Sequence, residues 1–181
     1  DLANCLYKQN KKEEDEKKDD KLLKLNNNNQ NALFNLGLIL CENNNNQKAN
    51  ELFEEALKIK ENPNILIQQG ICLLRDEQYK DAINKFDSAL KLDENNVKAH
   101  IGKGQALFGD NQIEESIAEY DKALQIEPDN KNAMVSKANS LMKNNQVDDA
   151  LILYKKANEI GEDNCMHLMN YALCLFDKKN N

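Results

Sequence analysis

Five cysteines and two histidines are the side chains of this chain best able to bind a metal or to act as nucleophile and base. Their spacing suits neither chemistry. No two cysteines form a C-x-x-C pair, and neither histidine lies at ligand spacing from a cysteine, as a tetrahedral zinc site requires. Cys5, Cys72 and Cys174 each follow a small residue (Ala3, Gly70, Ala172) by two places. That register points them into the interior of a helix pair, where a free thiol behaves as a small hydrophobe. Cys41 lies two places further along the same register, and Cys165 falls at a helix start. His100 fills a column otherwise held by Leu33, Leu66, Met134 and Leu168, so it reads as a packed helix residue, whereas His167 reads as exposed. Gly102 and Gly104 spell G-x-G, but in mid-helix and not between a strand and a helix, so they make no phosphate loop. Glu114 and Glu115 are surface residues by their period. No acid–base pair and no activated nucleophile emerges, so the expectation is a non-enzymatic chain without cofactor or metal.

The elements that carry these residues repeat. Gly37, Gly70, Gly104, Ala138 and Ala172 are 33, 34, 34 and 34 residues apart. A leucine follows three later each time: Leu40, Leu73, Leu107, Leu141 and Leu175. Twelve residues after the first small column comes a second: Ala49, Ala82, Ser116 and Ala150. Then come an aromatic (Phe53, Phe86, Tyr120, Tyr154), an alanine (Ala56, Ala89, Ala123, Ala157) and a closing aliphatic (Ile59, Leu92, Ile126, Ile160). Spacings of three and four put each set on one helical face. Small residues let two helices approach, and the aromatic fills the gap between that pair and the next. Asparagine clusters and Pro63 and Pro128 separate the periodic runs, as turn and N-cap chemistry requires. Helix pairs are therefore expected at about 31–43/46–60, 64–76/79–92, 97–109/112–126 and 131–144/147–160, with a lone helix at about 165–177.

These columns resemble the tetratricopeptide repeat, a helix-turn-helix unit of 34 residues. The resemblance covers residues 30 to 177. It implies an all-α fold, an α-solenoid in which antiparallel helix pairs wind into a right-handed superhelix. On this resemblance residues 30–164 read as four tandem repeats. Residues 1–29 read as a partial, degenerate repeat: Ala3, Cys5, Leu6 and Tyr7 match Ala172, Cys174, Leu175 and Phe176, while Asp15 and Asp19 replace the small and aromatic columns. The charged run from Lys11 to Lys21 reads as a solvated loop or a poorly packed helix. Residues 165–181 read as the first helix of a further repeat or an end helix. Both ends are expected to belong to a longer chain or to be covered by a partner.

Composition narrows the partner. A net charge of −7 disfavours a phosphate backbone. Groove positions offer mainly Lys98, Lys143 and Arg75 for RNA. No apolar run approaches a membrane span and no secretory signal is present. With an odd cysteine count, this implies a reducing, cytoplasmic setting, with a ciliary or nuclear assembly left open. Hydrophobic residues make up 40% and aromatics only 6%, so small–large helix packing must carry stability. The many asparagines look like coding bias from an AT-rich genome.

The resemblance implies that the first helix of each pair lines the concave face. The positions facing it are Phe34, Ile67, Ile101, Val135 and Met169; Leu38, Ile71, Gln105, Asn139 and Leu173; and Cys41, Leu74, Phe108, Met142 and Phe176. Two of these columns are largely apolar, and such a surface suits an apolar or amphipathic peptide or helix of a protein partner. The alternative is that part of each column packs between neighbouring repeats. Chaperone adaptors of this family clamp a C-terminal carboxylate with Lys, Asn and Arg. In the register of Gly37 those places hold Phe34, Leu38, Gln68, Lys98 and Gly102, and only Lys98 fits. One repeat earlier Asn4 and Asn35 fit, but Asn64 and Gln68 replace the basic residues, so no fork can pair a carboxylate. The reading is a non-catalytic protein–protein interaction scaffold within a multi-protein assembly. The other class it leaves open is the regulatory arm of a larger enzyme.

Overall fold

The computed structural model describes residues 29–160. Four antiparallel helix pairs follow one another: α1 (Gln30–Glu42) with α2 (Asn46–Ile59), α3 (Pro63–Arg75) with α4 (Tyr79–Leu92), α5 (Val97–Gly109) with α6 (Ile113–Ile126), and α7 (Lys131–Lys143) with α8 (Val147–Glu159). The expected boundaries agree to within a residue. The expectations for the degenerate first repeat, the charged run and the final helix fall on residues outside the described ones. So do Cys5, Cys165, His167, Met169, Leu173, Cys174 and Phe176.

Local chemistry sets the helix ends. Each first helix is capped by an asparagine whose side-chain oxygen accepts from the first turn. Asn29 accepts from Ala32 N at 3.2 Å, Asn62 from Asn64 N at 2.9 Å, Asn96 from Ala99 N at 3.1 Å and Asn130 from Ala133 N at 3.0 Å. Each first helix also ends alike. The carbonyls of Leu40, Leu73, Leu107 and Leu141 accept from the backbone N–H five residues on, at 2.8–2.9 Å. This closure needs a left-handed residue, and Asn44, Glu77, Asn111 and Asn145 supply it with φ of 56° to 63°. Asparagine thus occupies all four caps and three of the four left-handed places. These particular asparagines serve the fold, whatever the coding bias.

The repeat columns build the core. Ala49, Ala82, Ser116 and Ala150, and Ala56, Ala89, Ala123 and Ala157, are fully buried, and the aromatics between them are at most 2% exposed. A Cβ on Gly70 would come within 2.7 Å of the Phe86 ring, and Gly102 of the next repeat presses on the same ring from the other side. One aromatic therefore ties two repeats together, and any side chain at either glycine would displace it. The closing aliphatics behave differently: Ile59, Leu92, Ile126 and Ile160 remain 38–44% exposed, at the rim of the array.

Each second helix packs on its own first helix and on the next one. Each first helix also touches the following first helix, whereas among the described residues no second helix touches another. The first helices therefore line the inner side of the curve and the second helices the outer. The described residues are an all-α solenoid.

The expectation of free cysteines needs correction. Cys72 is buried as expected, but it is joined to Cys41 of the preceding repeat in a disulfide, with Cα atoms 6.6 Å apart. Its place two after Gly70 and the place of Cys41 four after Gly37 meet where α1 crosses α3 on the inner side.

Candidate protein-binding face

The inner face is built by the exposed sides of α1, α3, α5 and α7. Of the expected positions, Phe34, Leu38, Ile71, Leu74, Ile101, Phe108, Asn139 and Met142 are half-buried, and Gln105 is exposed. Ile67 and Val135 are only 2% and 5% exposed, so they pack in the core and offer nothing to a partner. Their column stands three before the small residue, at the boundary between the packed and open sides of the helix. A small rotation of the helix decides which side wins. The accessible part is a discontinuous apolar strip, from Phe34 and Leu38 through Ile71 and Leu74 to Ile101, Phe108 and Met142.

Polar groups frame this strip. Lys143 Nζ stands 4.8 Å from the centre of the Phe108 ring, a cation–π contact that covers part of that face. The Tyr154 hydroxyl donates to Asn139 Oδ1, which fixes the amide at the floor. Arg75 Nη1 donates to the Cys41 carbonyl at 2.9 Å. Phe34 of the strip packs against the buried Phe53 behind it, with ring centres 5.9 Å apart.

The least expected feature lies on the other side of the third repeat. His100 is buried as expected, but among charges. Its Nδ1 is 2.7 Å from Glu119 Oε2 and its Nε2 is 3.0 Å from the Glu94 carbonyl, so both ring nitrogens face acceptors. The other oxygen of Glu119 accepts from Lys122 at 2.8 Å and Lys103 at 3.1 Å, and Lys103 also reaches Asp87 at 2.8 Å. Burial opposes the charge on Glu119, but Lys122, His100 and Lys103 hold its carboxyl below the ordinary value. Burial likewise opposes the charge on Lys103, yet Asp87 and Glu119 raise it. A furrow of about 500 Å³ opens beside these groups between α4, α5 and α6. The sequence did carry a signal for this cluster. The columns Leu33, Leu66, His100, Met134 and Leu52, Lys85, Glu119, Leu153 turn polar together only in the third repeat.

Among the described residues, no group of three His, Cys, Asp or Glu side chains could hold a metal, and no helix is long and apolar enough to cross a membrane.

Comparison with known proteins agrees with this architecture. Three family models, each a tetratricopeptide repeat, match residues 30–63, 67–133 and 107–164. Among solved structures, MamA 41-end from Desulfovibrio magneticus RS-1 is 20% identical with a TM-score of 0.77, covering 88% of this chain and 90% of that one. PilF of Pseudomonas aeruginosa is 16% identical with a TM-score of 0.82, over 99% and 83% of the two chains. YrrB, described as a tetratricopeptide protein with an unusual peptide-binding site, is 25% identical with a TM-score of 0.71, over 98% and 88%. A comparison with curated protein sequences gives no significant match. With its repeat columns, paired helices and matching family models, this chain belongs to the tetratricopeptide repeat family.

Proposed function

We propose that this chain is a non-catalytic scaffold that binds a peptide or helix of a partner protein along the inner face of its repeats. Family membership and the likeness to YrrB, itself a peptide-binding protein, support a role in protein interaction. The observation that carries the finer reading is the strip of half-exposed apolar side chains on the first helices: Phe34, Leu38, Ile71, Leu74, Ile101, Phe108 and Met142. Strips of this kind take up apolar or amphipathic segments, whose burial supplies the affinity. Basic pairs that would clamp a terminal carboxylate do not accompany it.

The test is a paired substitution on the strip. Ile101→Glu with Phe108→Glu places two charges on accessible positions and should leave the helical melt close to wild type. Affinity capture from the native source should then lose the partners held by the wild-type protein, by a factor of about 30 or more. Ile152→Glu on the outer side, at a residue 66% exposed, is the control and should lose none. Partners retained by the paired variant, or lost equally by the control, would place the binding surface elsewhere.

A further inference from the structure

We propose that Cys41 and Cys72 form a redox-responsive staple that fixes the first repeat on the second. Corresponding places at the later joints show what the pair replaces. Where α3 meets α5 they hold Leu74 and Ala106, and where α5 meets α7 they hold Phe108 and Ser140, a large residue against a small one. Among the described joints, the first alone sets two thiols there, and the fold brings them into a disulfide. Two further contacts converge on the same crossing. Arg75 donates to the Cys41 carbonyl at 2.9 Å, and Asn46 Nδ2 at the start of α2 donates to Asp76 Oδ1 at 2.6 Å. The end of α1 is thus tied to α3 by one covalent and one polar link, and the start of α2 adds a second polar link to the end of α3.

The chemistry balances with a low-molecular-weight disulfide as oxidant. Cys41, 5% exposed against 0% for Cys72, is the thiol that meets solvent first when the helix end opens. Its thiolate attacks the oxidant and expels one reduced small thiol, leaving a mixed disulfide. The Cys72 thiolate then attacks the Cys41 sulfur and expels the second. The protein loses two electrons and two protons, and the oxidant is reduced to two thiols. A reducing pool runs the sequence backwards. The bond closes a chain segment of 31 residues and restrains the unfolded first two repeats. It also holds Leu38 and Leu74 in fixed relation on the inner strip. That consequence rests on the proposed function, whereas formation of the staple does not.

The experiment is to equilibrate the full chain with oxidised or reduced glutathione and to map its cysteines by peptide mass spectrometry. The oxidised sample should contain the Cys41–Cys72 linked peptide, and its melting midpoint should lie about 5–10 °C above that of the reduced sample. Cys72→Ala, which installs the residue present at Ala106, should fold and melt alike in both buffers. Cys41→Ser is the second insensitive variant. Thiols left free in oxidised buffer, a different linkage, or an unchanged shift in the Cys72→Ala variant would overturn the staple. Loss of partner binding on the inner strip would leave these readouts untouched, so the two ideas fail separately.

Discussion

Glu119 is a carboxylate brought among helices in a place where the first and fourth repeats pack a half-buried leucine. Three ionisable neighbours, His100, Lys103 and Lys122, make this tolerable, and the arrangement has a signed consequence. Its folded pKa lies below the ordinary value, so the cluster stabilises the fold above about pH 4.5. That contribution is lost as pH falls through the depressed folded value. Glu119→Gln removes the charge but not the shape. It should cost about 2–3 kcal/mol near neutral pH, because His100, Lys103 and Lys122 are left facing a neutral amide. It should also flatten the acid limb of the stability profile. Installing the pair found in the fourth repeat, His100→Met with Glu119→Leu after Met134 and Leu153, should restore stability to within about 1 kcal/mol of wild type, since apolar replacements of buried ion pairs are often neutral or better. Urea unfolding decides the matter, and a double variant as weak as Glu119→Gln would show that the cluster has no apolar equivalent here. Glu77 poses a simpler question. Among the four described turns it alone brings a non-asparagine side chain to the left-handed position, with φ of 56°. Glu77→Asn should raise stability by about 0.5 kcal/mol, and no gain in the same urea assay would mean that the glutamate makes a compensating contact.

At the scale of helices, the joints follow a rule with one exception. Lys103 of α5 reaches back to Asp87 of α4, and Lys137 of α7 reaches back to Asp121 of α6 at 2.5 Å, sixteen residues apart in both cases. The equivalent place on α3 holds Gln69, 1% exposed, and its side-chain oxygen has no partner. Leu36 stands at that place on α1. Gln69→Leu should therefore stabilise the array by about 1 kcal/mol, by removing a buried acceptor that water would otherwise satisfy. A loss measured by thermal melt would imply that the amide hydrogen-bonds a bound water. This exception also shows what sequence could and could not reveal. Helix boundaries were legible because an asparagine cap and a leucine-led turn recur with each period. The core columns were legible because small and aromatic residues recur at fixed spacings. Ile67 and Val135 were misplaced on the inner face because periodicity gives a helix's faces but not its rotation against a neighbour. The Cys41–Cys72 pairing was hidden for a related reason: it joins different columns of adjacent repeats, and only the crossing of α1 over α3 brings them together.

The described residues form a chain of nearest-neighbour contacts, since each of their helices touches only its own pair and the helices of the adjacent repeats. Stability in such an array is a sum of unit and joint terms, and damage spreads by joints and not by a shared core. Ala89 is the position to test this, because it is fully buried in α4 within the cluster that also contains Phe86 and Ala99 of the next repeat. Arginine there has no room, and its charge would be carried into an apolar joint, a combination that costs several kcal/mol. In Ala89→Arg, hydrogen exchange should accelerate most in α3, α4 and α5. It should accelerate less in α6 and α7, and least in α8, whose packing partners Met134, Ala138 and Leu141 belong to a separate cluster. The gradient is the informative quantity. Equal acceleration in every helix would mean that the repeats unfold as a single cooperative unit, and wild-type exchange throughout would remove Ala89 from the joint. A gradient that falls off with distance would show that a partner seated on one stretch of the inner face can stabilise that stretch without tightening the rest.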